Sequence, residues 1–290
     1  MAINHQSPTV HSNARVDLHI HSNRSDGVFS YMEIIDIAAQ QEVKAISITD
    51  HDDIRGLEEA EQYCRTKNIE FISGIEISAR SKNIDLHLLG YHFDYHNPNL
   101  IDYVNYFQEE RVKRAHKIIA LLKNFGINLS FDFIRQKAGP GSIGRPHIAD
   151  AMVEEGYVYN YYDAFNRFIG DGCPCAVPKY KISPTEAISL INKAGGVCVI
   201  AHPGSDVSDE DLLELIKCGL NGIETIHPRH NQEQINRYRE FVQKYGLIET
   251  GGSDCHGKRF SEILIGKLDV PYSIVDKMKQ WMIEHDIKPM

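Results

Sequence analysis

From Val16 to Tyr91, and again beyond Ala176, short β-type runs alternate with amphipathic helical patterns. This alternation constrains the chain more than any other feature, because strand, helix and strand in succession build a parallel sheet with crossover connections. The first stretch reads VDLHI, the turn SDGVFS, the helix YMEIIDIAAQQ, the strand KAISITD, the helix LEEAEQYCRTK, and the strands IEFISGIEIS and DLHLLGYHF. The second reads SPTEAISLINKAG, VCVIAHP, DEDLLELIKCG, NGIETIHP, QEQINRYREFVQKYG and LIETGGSD, helix and strand by turns. Ser183, Pro184 and Glu186 give the helix at 183–195 a capping signature. Seven or so strands of this kind favour a closed or nearly closed barrel.

Residues 99–177 break the rhythm. A long helical pattern ends at Gly126, and FDFIRQKAG, RPHIADAMVEEG and YNYYDAFNRFIG follow as shorter helices separated by glycines. The expectation is a polar leader over 1–14, a barrel from 15–98 and 178–290, and an inserted helical subdomain at 99–177 that binds substrate. Charge supports the division: residues 100–182 carry 11 Lys/Arg and 9 Asp/Glu, whereas the rest of the chain has a net charge of −11. Arg111, Lys113, Arg114 and Lys117 share one long helix and read as a solvated face, with Arg111 or Arg114 able to reach an RNA tail. The tyrosines of YVYNYYDAF read as buried, with base stacking as the alternative, and Trp281 as a packing residue of a C-terminal helix.

A total charge of −9 argues against long duplex nucleic acid as a partner. No stretch has the ~20 apolar residues of a membrane span. Six cysteines without a CxxC pair point to a reducing, cytoplasmic setting. Histidine is the unusual component: there are 15, several beside carboxylates. Alternate strand residues share a face, so Asp17, His19 and His21 project together from VDLHIH. Asp26 follows in a turn, His51 and Glu76 end the next strands, His202 ends a later one, and Asp254 and His256 end the last. Strand ends of a parallel α/β barrel meet at one face. Carboxylates and imidazoles gathered there without a cation would repel or stay unpaired, so the pattern implies a multinuclear metal site.

DLHIHSNRSDG, ITDHDDI, GIEIS, IAHPG and GSDCHG resemble the signature segments of the PHP (polymerase and histidinol phosphatase) family from about Val16 to Gly257. The resemblance implies a distorted (β/α)7, TIM-like barrel holding two or three divalent ions, most simply Mn2+, with Zn2+ or Fe2+ as alternatives. It implies one ion on His19, His21, Glu76 and Asp254. A second would sit on Asp26, His51 and His256, with Glu76 or a solvent oxygen bridging, and a third on Glu76, His202 and His87. DLHLLGY could equally turn His87 toward a helix, and His92 and His96 read as loop histidines. The chemistry implied is phosphoester hydrolysis by a metal-bound hydroxide, with paired cations stabilising the in-line charge. Asp26 stands where histidinol phosphatases of the family often have histidine. It makes the site harder, favours Mn2+ and lowers the weight of histidinol phosphate as substrate.

GSIGRPHIA resembles a motif of a PHP subgroup that includes a 3′,5′-nucleoside bisphosphate phosphatase and a 5′-to-3′ exoribonuclease acting on short RNA. Arg145 and His147 sit at a helix start suited to an anion. Lys179 in VPKYK, and His227 and His230 in GIETIHPRH, resemble further stretches of that subgroup. The expected substrate is therefore a small nucleotide or a short RNA, gripped by Arg145, His147 and Lys179, with His227 near the leaving group. Rival readings are a histidinol-phosphate-type phosphatase, an amidohydrolase, which also opens with His-x-His, and a noncatalytic, metal-stabilised module.

Overall fold

The computed structural model describes residues 14–81, 84–139, 141–257 and 262–287; all but the last residue of the expected leader lies outside them. Strands β1 (Val16–Ile20), β2 (Ala45–Ile48) and β3 (Glu70–Phe71) form a parallel sheet in that order. Strands β4 (Gly74–Ser81), β5 (Ile84–Tyr91), β6 (Val197–Ile200), β7 (Gly222–Ile226) and β8 (Ile248–Gly251) form the other sheet, also in sequence order. The expected single strand IEFISGIEIS is thus divided between the sheets. At the break a Cβ on Gly74 would fall 2.1 Å from Ser47 Oγ, so only glycine lets the chain pass there.

The fold is mixed α/β, and two features differ from the expected barrel. β5 runs antiparallel to both β4 and β6. Only two residues separate Ser81 from Ile84, enough for a hairpin and far short of the dozen or so a parallel crossover requires. No continuous ladder closes the sheets into a barrel among the described residues. Instead they meet at isolated parallel bridges, Ile20 with Cys255 and His51 with Glu76. Backbone bonds reinforce both seams: His21 N–H donates to Cys255 O at 3.1 Å, Asp254 N–H to His19 O at 2.8 Å, and Asp52 N–H to Glu76 O at 3.0 Å. Gly252 permits the first seam, because a Cβ there would stand 2.4 Å from His19 N.

Helices α1 (Tyr31–Gln40) and α2 (Leu57–Thr66) cover the first sheet with Ile34, Ile35, Ala60 and Cys64. Helix α3 (Pro98–Lys123) joins two cores. Its first half buries Leu100 and Val104 against the β4–β7 side, and its second half buries Ile118 and Leu122. The second core is shared with α4 (Phe131–Ala138), α5 (Arg145–Glu154), α6 (Tyr161–Ala164) and the π-helical turn Phe165–Ile169. Helix α7 (Pro184–Lys193) has the expected capping box, with Ser183 Oγ accepting from Glu186 N–H at 3.2 Å. Helices α8 (Asp209–Lys217), α9 (Gln232–Tyr245) and α10 (Ser273–Glu284) complete the order. Trp281 packs as expected, its indole N–H donating to Gly246 O at 2.7 Å. No described helix is long and apolar enough to cross a membrane.

Candidate metal centre

The strand alternation brings His19 and His21 to one point. Their Nε2 atoms stand 3.2 Å apart, Glu76 Oε2 lies 3.4 and 3.1 Å from them, and Asp254 Oδ1 lies 3.4 and 3.2 Å away. A second group surrounds Asp26, with His256 Nε2 at 3.3 Å, His21 Nδ1 at 3.8 Å and His51 Nε2 at 3.9 Å. The third centres on Glu76 Oε1, with His87 Nδ1 at 2.9 Å and His202 Nε2 at 3.0 Å. His51 Nδ1 is 3.1 Å from Glu76 Oε2. All nine residues expected at the metal site therefore meet, and Glu76 turns one oxygen to each side. His87 faces this cluster and not a helix. His96 is an exposed loop residue, while His92 is buried elsewhere, and burial lowers its pKa to about 4.

The donor set fits divalent cations. Ligands about 2.0–2.2 Å from one small ion stand roughly 3–3.5 Å apart, as the first group does. Tautomers point the same way. His19 Nδ1 is 2.9 Å from Glu224 Oε1 and donates to it, and His256 Nδ1 donates to Asp254 O at 2.9 Å, so both Nε2 lone pairs face the cluster. Asp26 Oδ1 and His51 Nδ1 are buried without a hydrogen bond, a costly state unless a cation takes the lone pairs. Burial pushes the Glu76 carboxyl upward, but His51, His87 and His19 outweigh it and hold its pKa well below the usual range. Burial pulls the His51 pKa well below the usual imidazole range.

Behind the ligands stand three acids, of which the sequence disclosed only that Asp17 shares a strand face with His19 and His21. Glu224 Oε2 accepts His202 N–H at 2.7 Å, fixing the turn that carries that histidine. Asp17 accepts Ser253 N–H at 2.9 Å and Gly266 N–H at 3.0 Å, tying β1 to the segment after β8. Asp50 accepts Ser22 N–H at 2.8 Å beside the Asp26 turn. The only signal of Glu224 and Asp50 was an acid inside or just after an apolar strand.

The sequence profile of the PHP domain matches residues 17–164, half of the chain. The chain belongs to the PHP domain family. It is 32% identical over 249 residues to a 3′,5′-nucleoside bisphosphate phosphatase of Chromobacterium violaceum, covering 84% of this chain and 87% of that one. It is also 32% identical over 247 residues to a 5′-3′ exoribonuclease of Haemophilus influenzae, covering 83% and 90%. A solved structure from Bifidobacterium adolescentis, described as a metal-dependent phosphoesterase, superposes with a TM-score of 0.84 at 27% identity, covering 92% and 96%.

In this PHP chain a cleft of about 680 Å³ opens from Asp26, His51 and His87 toward the helical block. Arg145 and Lys179 line it. Arg145 Nη1 donates to Ile169 O at 3.1 Å and to Asp171 at 2.7 Å. Lys179 Nζ lies 2.9 Å from the buried Asp52, and burial lowers its pKa to about 8. Arg111 and Arg114 belong to the cleft too, not to a solvated face. Arg111 Nη2 pairs with Asp52 at 3.1 Å, and Arg114 Nε donates to Val177 O at 2.7 Å.

Three expected substrate residues are engaged elsewhere. His147 is buried, and its Nδ1 accepts Gly144 N–H at 3.1 Å at the start of α5. His227 Nδ1 accepts Arg229 N–H at 3.1 Å, which leaves its Nε2–H to donate to Asp254 Oδ2 at 3.3 Å, not to a leaving group. His230 donates from Nδ1 to Thr225 O at 2.9 Å and accepts Gly204 N–H at 3.2 Å, so it braces the loop after His202. His147 was expected at the substrate from its helix start and from the subgroup resemblance, and His227 and His230 from that resemblance; backbone groups nearer in space engage all three, and Asp254 engages His227 as well.

Proposed function

We propose that this chain is a metal-dependent phosphoesterase that removes the 3′-phosphate of nucleoside 3′,5′-bisphosphates and also shortens 5′-phosphorylated RNA from its 5′ end. One observation carries the reading: a three-lobed set of histidines and carboxylates centred on Glu76 opens into a cleft lined by Arg111, Arg114, Arg145 and Lys179. The names of the relatives support the same class of reaction.

In this reading His19, His21, Glu76 and Asp254 hold one divalent ion. Asp26, His51 and His256 hold a second, and Glu76, His87 and His202 a third, with Mn2+ the first choice. Bound ions would supply a nucleophile at neutral pH and offset the charge that builds on the phosphoryl group. The protein's own contribution is orientation. Glu224 keeps the His19 lone pair on the cluster, and His227 and Arg229 hold Asp254 through Oδ2 at 3.3 and 3.0 Å. Residues 99–177 act as the substrate-binding block. Arg145, with Arg114 beside it, grips the 5′-phosphate in the forked manner guanidinium allows, and Lys179 adds a point charge nearer His51. The 3′ ester then lies over the cluster whether it carries a terminal phosphate or the next nucleotide.

The test, in Mn2+, compares phosphate release from adenosine 3′,5′-bisphosphate and from histidinol phosphate with release of nucleoside 5′-monophosphates from a 5′-phosphorylated oligoribonucleotide. The bisphosphate should be the best of the three by kcat/KM, and Arg145→Ala should raise its KM far more than that of p-nitrophenyl phosphate. Faster release from histidinol phosphate, or ammonia release from amide substrates with no phosphate release, overturns the reading.

A further inference from the structure

We propose that Tyr161 and Phe165 form a nucleobase subsite on the far wall of the cleft, so that the base and not only the phosphates selects the substrate. This rests on the nucleotide reading above and sharpens it.

The two side chains supply the phenol and phenyl rings among the cleft's described lining residues. Their centroids are 4.8 Å apart with planes inclined by 33°, a joined surface of two rings. Both pack on the helical core with one side, yet both remain only partly buried. Aromatic rings left partly open to a charged cleft are poorly explained by core packing alone.

The backbone holds them there by an unusual device. Phe165–Ile169 is a π-helical turn, closed by Gly170 N–H donating to Phe165 O at 2.9 Å. Such turns are uncommon and recur at functional segments. Gly170 is needed for it, since a Cβ at that position would fall 2.4 Å from Phe165 O.

Charge marks the path from this wall to the metal centre. Arg111 Nη2 reaches to 3.5 Å from His51 O, Arg114 feels both Arg111 and Arg145, and Arg145 Cζ lies 5.5 Å from the Phe165 ring centroid. The guanidinium groups thus run from the cluster to the aromatic wall. A nucleotide whose phosphates occupy the cluster and these cations has one large apolar part left, its base. The wall beside Arg145 offers that base a stacking face, and a pocket of this volume lies in the range that takes a small ligand. Stacking uses the π-face that every base has, so the subsite accepts all bases and favours purines for their larger area.

Two measurements on the full-length protein test this. The first compares adenosine 3′,5′-bisphosphate with ribose 3,5-bisphosphate, which lacks the base, in the Mn2+-loaded wild type and in Phe165→Leu and Tyr161→Leu. Leucine keeps apolar volume against the helical core. Each variant should raise KM for the nucleotide about tenfold, within the range for loss of one base–aromatic stack, while KM for the base-free substrate changes less than twofold. Phe165→Trp should restore the nucleotide KM. Equal changes on both substrates, or none on either, overturn the subsite. The second measurement is direct binding of 1,N6-ethenoadenosine 5′-monophosphate. Its fluorescence should be quenched by the wild type and not by Phe165→Leu, and equal quenching by both overturns the subsite. If the wild type quenches the probe but hydrolyses no nucleotide, the subsite stands and the catalytic reading fails.

Discussion

Replacing Glu224 by glutamine probes the centre without touching any proposed ligand. The carboxylate is fully buried and accepts two hydrogen bonds, His19 Nδ1–H at 2.9 Å on Oε1 and His202 N–H at 2.7 Å on Oε2. Glutamine offers one acceptor and one donor in the same space. If its oxygen serves His202, its NH2 faces His19 Nδ1, which must then accept. The imidazole proton moves to Nε2, among His21 Nε2, Glu76 Oε2 and Asp254 Oδ1 at 3.2–3.4 Å, and a lone pair aimed at the cluster is lost. If the oxygen serves His19, two donors face each other and the buried His202 N–H goes unpaired at about 1–3 kcal/mol. Either outcome should weaken metal binding by the 10–100-fold typical of losing a partner that orients a ligand, about 1.4–2.7 kcal/mol. The assay is a Mn2+ or Zn2+ titration by chelator competition, with metal content after dialysis and circular dichroism to confirm folding. A folded Glu224→Gln variant with wild-type affinity would refute the tautomer argument and with it the assignment of His19 Nε2 to the cluster.

Gly252→Ala should lose metal and about 1–3 kcal/mol of stability by urea denaturation, since its Cβ would meet His19 N and Cβ at 2.4 Å and force the first seam open; unchanged metal content would refute the seam. Asp52→Ala leaves Lys179 and Arg111 in the cleft wall without their shared counter-charge. It should cost about 3–5 kcal/mol, and a shift in denaturation midpoint worth less than 1 kcal/mol would show that water screens the pair. Burial lowers Lys179 to a pKa of about 8, so its charge is present below that pH and lost above it. KM for a bisphosphorylated nucleotide should therefore climb as pH passes 8, and Lys179→Ala should flatten the climb. Chelation should reduce hydrogen-exchange protection at the Asp254 and Asp52 amides, which cross the seams, more than at β7 in the sheet interior; equal loss would refute a local role for the cations.

How far the sequence disclosed this molecule depends on what each signal encodes. His19, His21, His51, Glu76, His202, Asp254 and His256 were legible because strand alternation and strand ends fix where a side chain points, whatever the rest of the chain does, whereas Asp26 was read from its turn and His87 only from the family resemblance. Strand direction was not legible in that way. IDLHLLGY has the same hydropathy read along either direction, and only the two-residue interval between Ser81 and Ile84 encodes the reversal of β5. Arg111 and Arg114 show the same ambiguity on a helix: their spacing defines a face but not whether that face meets water or Asp52 and Val177. The partners of His147 and His230 were not legible because they are backbone groups, present at every residue and so invisible to a motif, and the Asp254 partner of His227 lies 27 positions away. Glu224 was missed because its two partners, His19 and His202, stand 205 and 22 positions away.

The seams where the sheets meet are also where proposed ligands face each other: His19 and His21 against Asp254 and His256 across the Ile20–Cys255 bridge, and His51 against Glu76 as bridge partners themselves. Each seam carries a few backbone hydrogen bonds, and beyond these and the apolar core shared by Val16, Leu18, Leu89 and Ile248, side-chain chemistry at the edges helps hold one sheet to the other. Acids and imidazoles at 3.1–3.4 Å do that weakly as a mixture of partly protonated pairs, and strongly once divalent cations replace the protons. Bound cations would therefore tighten the junction of the two sheets, and the residues that close the fold there, Gly252, Asp17 and Glu224, lie directly behind the proposed ligands.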